Sequence, residues 1–249
     1  MLLAIDIGNS SIKFGAYDGD ELHKHFQIPT NREYSPESLR SAVGDSIDFQ
    51  IDRAIVCSVV PELNFVVKDL IRNGHGCETH FVANDWDLGL TINYQPLSAA
   101  GTDRLVNCFS AAEKYGVPVI VCSLGTALTI DFVNENRELV GGLIAPGIRP
   151  LAKALHLVTS QLLEVEIEKP DRVLQQNTKG SIQSGLVNGY LSMFTGLLDK
   201  VKAEIGSSPR VIATGGSAAF VGEPTRSIDI VDPLLTLDGL RLIATRVGV

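Results

Sequence analysis

The stretch AIDIGNSSIKFG at residues 4–15 returns as VCSLGTALTIDF at residues 121–132, and this recurrence decides how the chain is read. In the first copy the apolar run LLAIDI ends on a carboxylate, GNSS turns the chain, and IKFGAYDGDEL alternates back out. That is the pattern of strand, tight turn and strand. In the second copy VPVIVCSLG is the outgoing strand and TALTIDFV the return. Asp6 meets Ser123, Gly8 meets Gly125 and Asn9 meets Thr126, all at an offset of 117. Internal duplication is the simplest account. It predicts two lobes, residues 1–116 and 117–249, each carrying one glycine-bearing hairpin.

Around the two hairpins, strand and helix signals interleave. SPESLRSAVGDSI carries a Ser35 cap ahead of Leu39, Ala42 and Val43 at helical spacing. RAIVCSVV reads as a buried strand stopped by Pro61, and PELNFVVKDLIRNG as a helix with Gly74 beyond its end. DRLVNCFSAAEKYG places Leu105, Val106, Phe109 and Ala112 on one helical face, with Gly116 as the stop. Asp103 and Arg104 then lie in the first turn, where the helix dipole favours an acidic side chain. GGLIAPGIRPLAKAL leads into another helix, and RVIATGGSAAFV is a strand ending in Gly215 and Gly216 before a helix start. The fold class is α/β, with a mixed sheet in each lobe.

Composition narrows the function. The 249 residues are 45% hydrophobic and 20% charged, which describes a folded protein with ample core. The segment MLLAIDIGNSS has no basic region, and no apolar run approaches the ~18 residues of a spanning helix, so a soluble cytoplasmic protein is expected. A formal net charge of −8 speaks against nucleic-acid and anionic-membrane partners and leaves small molecules. Cys57, Cys77, Cys108 and Cys122 form no CxxC pair and no zinc spacing, and are expected reduced and structural. His23 and His25 alternate on one face of an expected edge strand, where solvent exposure is the simpler reading than a metal pair.

No GxxxxGK[ST] and no strand-following GxGxxG is present, so phosphate must be held another way. Small residues in a hairpin let backbone N–H groups approach phosphate oxygens, and a carboxylate at a strand end can hold Mg²⁺ directly or through water. Asp6, Gly8, Asn9, Ser10 and Lys13 fit this in the first copy, and Gly125 and Thr126 in the second. The later ATGG turn suits a nucleoside. The structural alternative is a pair of ordinary glycine hairpins.

DIGNSSIK, CSVVPE, GTDR, GTALTID, GGLIAPG, NTKGSIQSG and ATGG follow one another as in the type III pantothenate kinases, which the chain resembles over essentially its whole length. The resemblance implies the fold of actin-like, sugar-kinase and Hsp70-like ATPases: two ribonuclease H-like lobes of mixed sheet flanked by helices, with an ATP cleft between them. It implies phosphorylation of pantothenate by ATP at the entry to coenzyme A synthesis, Mg²⁺, a monovalent cation (K⁺ or NH₄⁺), and a homodimer. Carried over by position, Asp6, Ile7, Gly8, Asn9, Ser10, Ser11, Ile12 and Lys13 become the ATP phosphate loop, with Asp6 beside Mg²⁺ and Thr126 a further ATP contact. Asp103 becomes the catalytic base. Gly101, Thr102 and Arg104 line the pantothenate pocket, with Arg104 able to clamp its carboxylate. Tyr94 and Thr178 match the remaining substrate contacts.

The resemblance departs at Ser123, where members usually carry an aspartate that binds the monovalent cation. A serine hydroxyl brings no formal charge and attracts K⁺ more weakly. Three readings stay open: a kinase with little K⁺ dependence, compensation by Asp131 on the return strand, or a catalytically impaired nucleotide-binding regulator of the same fold. Another enzyme of this fold, such as a sugar kinase or phosphatase, fits Tyr94, Thr178 and GTDR less well.

Overall fold

The computed structural model describes residues 1–249, which divide into two units. Unit 1 comprises Met1–Gly116, Asn134–Val140 and Leu234–Val249; unit 2 comprises Val117–Val133 and Gly141–Pro233. No helix is long and apolar enough to cross a membrane.

In unit 1 the chain forms β1 (Leu2–Ile7), β2 (Ser11–Asp18), β3 (Glu21–Pro29), α1 (Pro36–Val43), β4 (Arg53–Ser58), α2 (Asn64–His75), β5 (Thr79–Phe81), β6 (Thr91–Ile92) and α3 (Thr102–Tyr115). Its sheet has the order β3-β2-β1-β4-β5, antiparallel at β1–β2 and β2–β3 and parallel at β1–β4 and β4–β5. Both faces of β1 are covered, which is why it reads as an unbroken apolar run. Leu3, Ile5 and Ile7 point into a core with Leu39 and Val43 of α1 and Val67, Leu70 and Ile71 of α2. Phe14 and Phe26 stack across β2 and β3 at 4.6 Å.

The Ser35 cap is present as a capping box with Ser38. Helix α2, by contrast, runs through Gly74 and stops at Gly76, whose φ of +71° supplies the left-handed residue that ends it. Gly74 was expected beyond the helix end; it sits inside because the turn that breaks the helix lies two residues further on. His23 and His25 both lie exposed on the edge strand β3, His23 edge-on to Phe49.

Unit 2 contains β7 (Val119–Leu124), β8 (Ala127–Val133), most of β9 (Glu138–Pro146), α4 (Ile148–Leu157), α5 (Thr178–Ile205), β10 (Arg210–Thr214), α6 (Ala218–Thr225) and β11 (Ile230–Val231). The first residues of β9, Glu138 and Leu139, pair with β6 and count with unit 1. The unit 2 strands follow β11-β10-β7-β8-β9, so the order β3-β2-β1-β4-β5 is repeated strand for strand, with the same antiparallel hairpin and the same parallel crossover at its centre. The duplication inferred from two hairpins therefore extends to the whole sheet. One face carries Ile120, Cys122, Leu124, Leu128 and Ile130 against Val187, Tyr190 and Phe194 of α5. Cys122 stands where Ile5 stands in the first copy and is a core residue, its thiol pushed up first by burial and then by Asp131.

The chain ends in α7 (Leu235–Val247), which returns to unit 1 and packs on β1, β2, β4 and α3. Gly239 makes the crossing possible: a Cβ there would lie 2.9 Å from Val106 and Ser110 of α3. Thr236 Oγ1 donates to Asn107 Oδ1 at 2.8 Å, and Lys114 pairs with Asp238.

Candidate active site

In unit 1, Asp6 is the one carboxylate in a strand buried on both faces, and its side chain is 9% exposed. Burying a carboxylate is costly without a partner. The antiparallel register puts Lys13 opposite it, and Lys13 Nζ lies 3.2 Å from Asp6 Oδ2. The hairpin tip is tied down beneath this pair. Gly8 N–H donates to the Ser11 carbonyl at 3.1 Å, Thr30 Oγ1 to the Gly8 carbonyl at 2.6 Å, and Thr30 N–H to the Ser10 carbonyl at 3.1 Å. Asn9 and Ser10 are exposed at the tip, and Arg32 Nη2 donates to Asn9 Oδ1 at 3.0 Å.

The GTDR turn, at the start of α3, is hydrogen-bonded to the end of the neighbouring strand β4. Asp6 pairs in parallel register with Cys57 of β4, and the Cys57 thiol donates to Thr102 Oγ1 at 3.4 Å. Thr102 Oγ1 in turn donates to the Ser58 carbonyl at 3.1 Å. Asp103 follows in the first turn of α3, with its Oδ1 accepting from Arg104 N–H at 2.9 Å. Burial pushes the Cys57 thiol well up, and the charges of Asp6 and Asp103 push it further, so two carboxylates flank one neutral group. Arg104 is buried, its guanidinium carbon 5.2 Å from the Tyr94 ring centre and its Nη1 donating to Tyr94 Oη at 3.3 Å. That excludes a solvated surface arginine. A stacked guanidinium keeps its planar fork oriented, as recognition of a carboxylate requires.

In unit 2, β7 and β8 form the second hairpin, with Gly125 N–H donating to the Ala127 carbonyl at 3.0 Å. Its tip is one residue shorter. Ile7 pairs with Ile12 across the first tip, whereas Leu124 pairs with Leu128 across the second. Ser123 therefore faces Thr129, in the place where Asp6 faces Lys13. Asp131 pairs with Val121, one alternation along the same face, and is buried. Thr214 of β10 pairs with Ser123 on its other side, and its buried Oγ1 has no hydrogen-bond partner.

Thr126 is exposed at the tip, its carbonyl accepting from Gly147 N–H at 3.0 Å. Gly215, at φ +97°, lets the ATGG turn pass close to Leu124, whose carbonyl accepts from Ser217 N–H at 3.0 Å.

Unit 1 thus gathers Asp6, Lys13, Thr102 and Asp103 around Cys57, with Arg104 on Tyr94. Unit 2 gathers Ser123 and Thr126 in one hairpin. Thr178 takes the first position of α5, on a groove of about 350 Å³ with Leu155, Leu162, Ile182 and Leu186. Sequence reasoning missed Arg32, Thr30 and Asn84, none of which carries a motif, and read Cys57, the first residue of CSVVPE, only as a structural cysteine; strand pairing and loop packing bring them in. No cluster of three or more His, Cys, Asp or Glu side chains is positioned to hold a metal ion by itself.

A family model described as type III pantothenate kinase matches residues 2–200. The type III pantothenate kinase of Halalkalibacterium halodurans is 37% identical over 249 residues, covering 98% of each chain. That of Brevibacillus brevis is 38% identical over 253 residues, covering 99% of each. A crystal structure of a ROK family glucokinase from Streptomyces griseus, in complex with glucose and AMPPNP, superposes with a TM-score of 0.54 over 98% of each chain at 13% identity, a likeness of fold.

Proposed function

The chain belongs to the type III pantothenate kinase family, and from that membership we propose that it transfers the γ-phosphoryl group of ATP to the hydroxyl of pantothenate, giving 4'-phosphopantothenate for coenzyme A synthesis. The observation that carries this reading is the pairing, within unit 1, of a lysine-compensated hairpin with a carboxylate in the first turn of the adjoining helix, both converging on Cys57.

In the reading proposed, Asp6 to Lys13 cradle the ATP phosphates, with Lys13 facing phosphate oxygens and the exposed backbone of Asn9 and Ser10 donating to them. Asp6 is a hard oxygen donor and suits Mg²⁺. That ion keeps several waters and binds through one or two carboxylates plus substrate phosphates, so the absence of a protein cage is compatible with it. The metal, when bound, neutralises charge on the phosphates. Asp103 accepts the proton of the pantothenate hydroxyl as its oxygen attacks phosphorus, and Gly101, Thr102, Arg104 and Tyr94 form the acceptor side. Positioning and charge neutralisation supply most of the acceleration in phosphoryl transfer, while the base orients the nucleophile.

Thr126 and the ATGG turn contribute the nucleotide contacts of the second lobe, and Thr178 a substrate contact. Residues 1–116 carry the first phosphate loop and the acceptor motif; residues 117–249 carry the second loop. Ser123 and Thr129 offer K⁺ or NH₄⁺ two neutral hydroxyls and no charge, which supports activity with little monovalent-cation dependence. The exposed apolar side chains Leu157, Val158, Leu163, Val173 and Leu174 of unit 2 support a homodimer. The test of the base is Asp103→Asn. It should lose most pantothenate-dependent ADP release, a general base contributing about 10²–10⁴-fold, while still binding ATP. Turnover comparable to the native chain would remove Asp103 from the role.

A further inference from the structure

We infer that Asp103 is held in its working place by a two-sided clamp of hydrogen bonds internal to the protein, the Thr102 hydroxyl with Cys57 on one side and the Asn84 amide on the other; this rests on the kinase reading above. On the first side, the Thr102 hydroxyl is both donor and acceptor inside the protein, giving to the Ser58 carbonyl at 3.1 Å and taking from the Cys57 thiol at 3.4 Å. Both bonds hold the start of α3 against the end of β4. That end of β4 is itself tied to β1, since Val59 N–H donates to the Ile7 carbonyl at 3.1 Å. A continuous hydrogen-bonded route therefore runs from the strand of Asp6 to the turn of Asp103.

On the second side, Asn84 spends both N–H bonds of its amide on the loop leading into α3, donating to the Leu97 carbonyl at 2.8 Å and the Ala100 carbonyl at 2.7 Å. Between the two anchors sits Gly101, where a Cβ would lie 2.6 Å from Asp103 Oδ1. The carboxylate lies over the bare glycine, and its direction is set by a backbone pinned one residue before and one after. The assignment changes what Thr102 does: it is a positioning residue whose hydroxyl is committed to the framework.

The experiment compares Thr102→Val, Thr102→Ser and Asn84→Ala by steady-state kinetics, and by amide hydrogen exchange of the ligand-free protein. Misplacement of a catalytic group by about 1 Å costs on the order of 10²-fold, so Thr102→Val and Asn84→Ala should lower kcat by about 10- to 100-fold with both KM values little changed. Thr102→Ser, which keeps the hydroxyl, should recover most of kcat. The Arg104 and Leu105 amides, both donating to the Gly101 carbonyl, should exchange faster in Thr102→Val. A raised pantothenate KM with kcat intact would make Thr102 a substrate contact and overturn the clamp. Should the native chain not turn over pantothenate, the functional reading fails on its own. The exchange data would still decide the clamp, faster exchange upholding it and unchanged exchange overturning it.

Discussion

Gly147→Ala is a test of the second hairpin whose size can be worked from the structure. A Cβ at position 147 would lie 2.2 Å from the Gly125 carbonyl oxygen and 2.7 Å from that of Thr126. Carbon–oxygen contacts in proteins settle at about 3.3–3.6 Å, so the hairpin tip must retreat by roughly 1 Å. The obstructing atoms are backbone, and no rotamer change relieves the overlap. The bond from Gly147 N–H to the Thr126 carbonyl is strained by the same movement. Overpacking of this kind costs about 1–3 kcal/mol, within a typical stability of about 5–15 kcal/mol, so the variant should fold with a lower Tm. A 1 Å shift of a substrate-positioning element costs on the order of 10²-fold in rate, and here it should appear in kcat/KM for ATP more than in the pantothenate KM. Gly196→Ala is the control: nothing lies within 4 Å of its added Cβ, and removing a glycine from inside α5 should stabilise by about 1 kcal/mol without kinetic effect. The assay is ADP release against ATP concentration, beside thermal melts. A Gly147→Ala protein with native ATP kinetics would refute the reasoning, because the tip would then have moved without the nucleotide registering it.

Two further outcomes are expected. Native turnover should depend weakly on K⁺, and Ser123→Asp should raise that dependence, measured as ADP release with and without K⁺; equal K⁺ dependence in both would remove position 123 from any cation site. Tyr190 is buried with no hydrogen-bond partner for its hydroxyl, and burial, followed by Cys122, pushes its pKa up to about 12. A folded-state value above the unfolded ~10 means its contribution is whole below pH 10 and is lost as pH rises towards 12. Tyr190→Phe should flatten that alkaline decline in denaturant titrations and cost less than about 1 kcal/mol at neutral pH; an unchanged decline would refute the assignment.

What the chain announced in advance was local. The hairpins, the Ser35 cap, the first-turn place of Asp103 and the Gly116 stop all rest on side chains acting within a few residues of themselves. Helix α5 is not read from the sequence, where NTKGSIQSG at its start serves only the family resemblance, because its interior mixes Gly185, Gly189 and Gly196 with apolar residues on more than one face. The return of α7 to unit 1 has no local signal either. It depends on Gly239 meeting Val106 and Ser110 across a long separation in sequence. The same holds for the site: Asp6 and Asp103 are legible as strand-end and helix-start carboxylates, whereas Asn84, Cys57 and Arg32 act through partners that only pairing and packing choose.

Ser123 gains its meaning from register. Aligned from the front of the loop, it is a missing carboxylate. Aligned across the strands, it is half of a missing pair, because the shorter tip sets Thr129 where the first hairpin has Lys13. Lys13 is a cation built into the chain, 3.2 Å from the carboxylate it offsets. A carboxylate at position 123 would face a threonine and stand one alternation from the buried Asp131, raising the cost of both negative charges unless a cation came from solution. With serine at 123 that demand disappears together with the charge. The hairpin keeps its glycine and Thr126, so in the reading proposed above the parts that would meet a phosphate stay in place while position 123 no longer calls for a monovalent ion.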